Sequence, residues 1–209
     1  MQRILILAPH TDDGEISCGG SIVRFLEEGK DVFYIAFSGA EASVREGLPK
    51  DILRKEVIKA TAILGIKPEN LIVLKYQVRK FTYSRQEILE DIIRFRDEIN
   101  PDLVFTPILD DLHQDHKVIA EEGLRAFKQI SIVGYEQPWN NITFNTRFFI
   151  PLEKQHIDKK VEALMAYESQ RYRTYLNEEY VRSLAKVRGT QIGIEFAESF
   201  DLMRWIYNS

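Results

Sequence analysis

The sequence predicts an α/β fold with a mostly parallel sheet. Two observations carry this: short runs rich in Ile, Val, Leu and aromatic residues recur along the first two thirds of the chain, and amphipathic stretches of helical period separate them. Strands are expected at 3–8 (RILILA), 31–38 (DVFYIAFS), 70–76 (NLIVLKY) and 102–107 (DLVFTP). The first helical stretch, 15–28, carries Ile16, Ile22, Val23, Phe25 and Leu26 and stops at Gly29. The second, 50–64, carries Ile52, Leu53, Val57, Ile58, Ala62 and Leu64 before Gly65, and a third spans 84–99, closed by Asn100-Pro101. The resulting βαβαβαβ order, with right-handed crossovers, places helices on both sheet faces in a Rossmann-like, three-layer arrangement. Farther on, HKVIAEEGLRAF reads as a helix, 131–137 and 146–151 as two later strands, and 153–169 and 177–187 as C-terminal helices. Residues 193–206 show no assignable pattern. No repeat, low-complexity tract or linker interrupts the chain, so residues 1–209 are expected to form a single domain.

Composition narrows the function. A net charge of -4, with both signs interspersed among 29% charged residues, offers no nucleic-acid surface and no polybasic membrane patch. A single cysteine, Cys18, permits no intramolecular disulfide, and no CxxC pattern makes a structural zinc site, which suits a reducing cytoplasmic setting. The apolar run Ile4 to Ala8 is too short for a signal-peptide core or a bilayer span. A small-molecule substrate fits this balance, and a homo-oligomer is compatible with it.

The chemistry concentrates in two loops. After the first strand the chain reads APHTDDGE, with His10, Asp12 and Asp13; after the fourth it reads ILDDLHQDH, with Asp110, Asp111, His113, Asp115 and His116. In a doubly wound sheet of order 3-2-1-4-5, strands 1 and 4 lie side by side and their connections diverge, so ligands settle at their carboxyl ends. Three of the four histidines therefore converge on one crevice. Mixed imidazole and carboxylate donors suit zinc, and would also accept Fe2+ or another divalent ion. More donors are present than a catalytic ion needs, which leaves some for general base and oxyanion roles in metal-assisted hydrolysis of an acyl bond.

PHTDDGE resembles the AHPDDE motif of the LmbE-like (PIG-L) de-N-acetylase superfamily, and DLHQDH resembles its HxDH motif. ATAILGI (60–66), ALMAYESQ (163–170) and RGTQIGIEFAESF (188–200) extend the likeness over nearly the whole chain. The resemblance implies that His10, Asp13 and His116 bind Zn2+, that Asp12 is the general base, that His113 stabilises the tetrahedral oxyanion, and that Asp115 orients a histidine. It implies removal of an N-acyl group, acetyl in the usual case, from an amino sugar such as an N-acetylglucosamine derivative or a glycoconjugate, by attack of water activated at the metal. This chain departs from the pattern at Thr11, where proline is usual, at Gly14, inserted before Glu15, and at Arg54, which lies two residues before Glu56 rather than three.

Several residues have plainer readings. Asp12 and Asp13 could simply cap a helix, and Asp110 and Asp111 could be solvated. Asp111, Arg54, Arg45 and Trp139 are candidate substrate contacts, and Trp139 and Tyr135, in the aromatic stretch 134–149, are placed to stack on a sugar. His156 is expected to be exposed. Two other functions are compatible: a metal-dependent amidase acting on a non-sugar conjugate, and a non-catalytic Rossmann-like module for a nucleotide or sugar nucleotide, although no GxGxxG or GxxxxGK follows the first strand despite Gly19-Gly20.

Overall fold

Alternation within the first apolar run decides the layering. In β1 (Arg3–His10), Ile4 and Ile6 point to one side and Leu5 and Leu7 to the other, and all four are buried, so both faces of the strand need cover. The structure, a computed structural model, describes residues 1–207. Helices α1 (Asp13–Glu27), α2 (Ile52–Leu64), α5 (Lys154–Met165) and α6 (Glu178–Gln191) cover the Ile4 side; α3 (Arg85–Ile99) and α4 (Gln114–Ala126) cover the Leu5 side. Strands β2 (Asp31–Ser38), β3 (Leu71–Val73), β4 (Leu103–Pro107) and β5 (Ser131–Tyr135) form a parallel sheet with β1 in the order 3-2-1-4-5. This is the three-layer α/β fold expected from the sequence.

The sheet then continues beyond expectation. β7 (Phe196–Arg204), in the segment without a readable pattern, pairs antiparallel with β5, and β6 (Phe148–Leu152) pairs antiparallel with β7 at the edge, giving β3-β2-β1-β4-β5-β7-β6. The pattern was hidden by Glu198, a charge in mid-strand that is nonetheless buried. Its carboxylate accepts the backbone N–H groups of Gly20 (3.0 Å) and Ser21 (2.8 Å) and pairs with Lys160 Nζ at 2.6 Å, which ties β7 to α1 and α5.

Smaller differences have local causes. β3 is shorter than 70–76 because Leu74 and Tyr76 donate to Ala36 and Phe37 of β2 outside the regular ladder. The helix expected over 153–169 stops at Met165, and residues 168–170 form a 3₁₀ turn. His156 is buried rather than exposed: Nδ1 accepts the Glu153 N–H (2.9 Å) in a capping box, and Nε2 meets Glu27 at 2.8 Å. Among the described residues no helix is long and apolar enough to cross a membrane.

β1 and β4 are neighbours whose following helices, α1 and α4, leave onto opposite faces of the sheet. Both chemistry-bearing loops therefore open at the same edge.

Candidate active site

His10 ends β1, Asp12 is the N-cap of α1 and Asp13 its first residue, so the chain turns sharply between two rigid elements. The turn is pinned from beneath. The Thr11 carbonyl accepts hydrogen bonds from the Tyr34 and Tyr167 hydroxyls, and both tyrosines also bond to the buried Glu15 carboxyl. This tyrosine pair supplies the order that a proline at position 11 would have supplied through its fixed φ. Burial pushes the Glu15 carboxyl up to about 8. Gly14 donates its N–H to the Tyr34 hydroxyl at 3.0 Å, and a Cβ at Gly14 would overlap the Tyr34 ring.

The second loop meets this turn. His113 caps α4, its Nδ1 accepting the Asp115 N–H at 3.2 Å, and His116 follows within the first turn. Asp13 Oδ2 lies 3.1 Å from His10 Nδ1 and 3.3 Å from His116 Nε2, and these two nitrogens are 3.4 Å apart. Donors about 2.1 Å from a tetrahedral zinc ion would stand roughly 3.4 Å from one another. The three atoms thus have the mutual spacing of ligands around one small cation. His10, His113 and His116 also approach within 4.8 Å of one another, a wider set for such an ion.

Each inner imidazole is held from behind. His10 Nε2 is 3.0 Å from Asp115 Oδ2, and His116 Nδ1 is 2.9 Å from Asp111 Oδ2, so the opposite nitrogens face Asp13. Asp115 is itself fixed by the backbone N–H groups of Arg79 (2.5 Å) and Phe81 (3.3 Å), and Asp13 Oδ1 takes the Gln137 amide at 2.8 Å.

Electrostatics agree with a cation-seeking site. Burial alone would lower the His116 pKa, yet the Asp13 and Asp111 carboxylates raise it to about 10. A proton there and a divalent ion between the donors answer the same excess of buried negative charge. Burial, then the neighbouring Asp13, pushes the Asp12 carboxyl up to about 6. Burial and the imidazoles of His116 and His10 push His113 down to about 4, which keeps its ring neutral. Because Nδ1 accepts a backbone N–H, the single proton of that ring belongs on Nε2.

Comparison with known proteins fits this geometry. The family model described as PIG-L: GlcNAc-PI de-N-acetylase matches residues 5–127, more than half of the chain and both histidine loops. The chain belongs to the PIG-L family. Among relatives of this PIG-L protein, the diacetylchitobiose deacetylase of Thermococcus kodakarensis is 23% identical, with 99% of this chain and 85% of the relative covered. The uncharacterized deacetylase YaiS of Escherichia coli is 26% identical over 79% of this chain and 90% of its own. A solved structure of the 4-carboxy-2-hydroxymuconate hydratase GalB from Pseudomonas putida superposes with a TM-score of 0.81 at 19% identity, covering 100% of this chain and 99% of that one. At that identity the likeness is one of fold, and a fold alone does not choose a reaction.

Above the three donors this PIG-L protein has a cavity of about 280 Å³, lined among others by Asp12, His113, Arg79, Trp139, Arg173 and Tyr175. Of the residues singled out in the sequence, His10, Asp12, Asp13, His113 and His116 all reach it, and Asp115 stands behind His10. Four expected substrate contacts are placed otherwise. Asp111, 1% exposed, is turned inward onto His116 and the His113 N–H. Arg54 is occupied by Glu41 (2.6 Å) and the carbonyls of Val73 and Leu74, locking α2 to the end of β3. Arg45 stacks over Tyr172, 4.5 Å from its ring centre, beside a separate groove. Tyr135 is buried, its hydroxyl donating to the Leu7 carbonyl at 3.0 Å. Trp139 does line the cavity, with one face already stacked on Tyr175 at 3.9 Å.

Other participants carried weaker signals. Gln137 follows β5 and so belongs to the next loop on the same sheet edge, which topology could have nominated. Gln170, Arg173 and Tyr175 come from the turn after α5, and no local pattern marks that turn as part of the crevice.

Proposed function

We propose that this chain is a metal-dependent hydrolase that removes an N-acyl group, acetyl in the simplest case, from an amino sugar or glycoconjugate. The observation that carries the reading is the triangle of His10 Nδ1, Asp13 Oδ2 and His116 Nε2, with sides of 3.1–3.4 Å, at the floor of a cavity. The family match and the deacetylase relatives support the choice of an amide bond.

His10, Asp13 and His116 would hold the ion, zinc being the ion best suited to two imidazoles and one carboxylate. When bound, it supplies Lewis-acid polarisation of the acyl carbonyl and acidifies water. Asp12, free of any short ion pair and facing the cavity, takes the proton from the attacking water and returns it to the departing amine. Neutral His113 donates its Nε2–H to the oxygen on which negative charge develops. Asp115 and Asp111 keep the tautomers and ring planes of His10 and His116 in place. The remaining face of Trp139 offers an apolar surface to a sugar ring.

The test is release of free amine from N-acetylglucosamine and its glycosides by metal-loaded protein, compared with N-acetylated amino acids and with Asp12→Asn. Turnover of the sugars, reduced about a hundredfold or more in a variant that keeps its metal, is the expected result. Turnover of acylated amino acids alone would move the reading to a non-sugar amidase.

A further inference from the structure

A carboxylate can hold a cation through one oxygen or through both, whereas each imidazole nitrogen offers a single lone pair. Asp13 is the carboxylate of the ligand set, so its mode of binding decides how many coordination places remain for water and for the acyl oxygen. Its two oxygens are used differently. Oδ2 faces both imidazoles, at 3.1 Å from His10 Nδ1 and 3.3 Å from His116 Nε2, and accepts the His10 backbone N–H at 2.8 Å. Oδ1 instead accepts the side-chain amide of Gln137 at 2.8 Å.

Gln137 is fixed for that contact. The side chain belongs to a residue only 1% exposed, and an ionised carboxylate can only accept, so the amide turns its NH2 toward Asp13 and its oxygen away. Asn140 Nδ2 meets that oxygen at 3.3 Å and holds the orientation. The backbone is tied as firmly: the Gln137 N–H donates to Asn141 Oδ1 at 2.7 Å, and its carbonyl accepts the N–H groups of Asn140 (2.8 Å) and Asn141 (3.0 Å). On the other side Glu136 is clamped by Arg188 of α6, whose Nε lies 2.9 Å from Oε2. Asn141 pairs with Asp111 through an isolated β-bridge, so the loop that restrains Asp13 also adjoins the carboxylate behind His116.

The loop closes through its backbone bonds and the Asn141 side chain, none of which needs the Gln137 amide. An apolar residue of the same length would fill the space without the cost of burying an amide. The amide therefore has its use at Asp13.

We propose that Gln137 is a positioning residue that holds Asp13 to ligation through one oxygen. By occupying Oδ1 and fixing the plane of the carboxylate, it leaves Oδ2 alone toward the ion and preserves the low coordination number that an open catalytic site requires. This deepens the hydrolase reading and rests on its ligand set of His10, Asp13 and His116.

The experiment loads the whole chain with Co2+, whose visible absorption is intense among four donors and weakens as donors are added. The unaltered protein is expected to bind about one equivalent with intense absorption. Gln137→Met keeps the length and removes the amide, which frees both oxygens of Asp13, so absorptivity per bound Co2+ should fall severalfold. Zinc affinity, from competition with a chelator, should fall about 10–100-fold. Lower affinity with an unchanged spectrum would mean that Gln137 merely supports the loop, and it overturns the proposal. Asn140→Ala, at a partly exposed position, removes the support of the amide oxygen and should shift the spectrum the same way by a smaller amount. It decides the matter if Gln137→Met does not fold, and an unchanged spectrum there also overturns the proposal. If the unaltered protein binds neither Co2+ nor zinc, the ligand set fails and the proposal with it. If it binds them and no folded variant alters the spectrum, the proposal alone fails.

Discussion

His10 Nδ1 and His116 Nε2 stand 3.4 Å apart although 106 positions separate them in the chain, and Asp13 Oδ2 completes the triangle. Protein purified from zinc-supplemented cells is expected to hold close to one equivalent of metal. His10→Ala and His116→Ala should each reduce this to a small fraction, and Asp12→Asn should leave it unchanged while turnover falls about a hundredfold or more, the scale of a lost general base. Elemental analysis alongside amine release checks both. Metal loss in Asp12→Asn would exchange the roles of Asp12 and Asp13.

Asp115 and Asp111 act through the histidines they face. Replacing either with Asn keeps the shape and removes the charge behind an imidazole, so metal affinity is expected to fall by about 10–100-fold. Competition against a chromophoric chelator measures it. Because Asp111 is buried beneath His116, Asp111→Asn should change metal affinity more than the KM of the metal-saturated enzyme.

Gly14→Ala forces a methyl group into the Tyr34 ring. Overpacking of this kind costs about 1–3 kcal/mol, and here it also displaces the turn between His10 and Asp13. Urea unfolding should show the loss, and Gly14→Ala combined with Tyr34→Leu, which itself removes the Tyr34 hydroxyl bonds, should lose less than the sum of the two single losses. Full additivity of the two losses would mean that the ring is not the obstacle.

Lys160 and Glu198 form an ion pair with both side chains almost wholly buried. Lys160→Met leaves the Glu198 charge without its partner and is expected to cost about 3–5 kcal/mol, whereas Lys160→Met with Glu198→Gln should cost distinctly less. Denaturant titration of the single and double variants tests this directly.

Much of the candidate site was legible because its donors occupy two short loops that the common doubly wound strand order places on neighbouring strands. His10 and His116 could be brought together on paper before any distance was known. The contacts that hold them could not. Asp111 looked like a group for substrate hydroxyls, because nothing local reveals that its carboxylate turns inward to His116. Arg54 looked available, because its partners, Glu41 and the carbonyls at the end of β3, lie on other elements. β7 went unread because Glu198 breaks the apolar pattern unless Lys160 and the N–H groups of α1 are already known to surround it.

Sequence alone indicated the succession of strands and helices and the layering of helices on both faces, since periodicity, turn residues and the handedness of crossovers are local or topological properties; the meeting of the two histidine loops followed once the common doubly wound strand order was taken. Tertiary structure decided which oxygen faces which nitrogen, that Arg54 is spent on holding α2 to the end of β3, and where the last strand inserts. Those outcomes depend on competition among side chains distant in the chain for the same few buried polar partners, and only the packed molecule settles that competition.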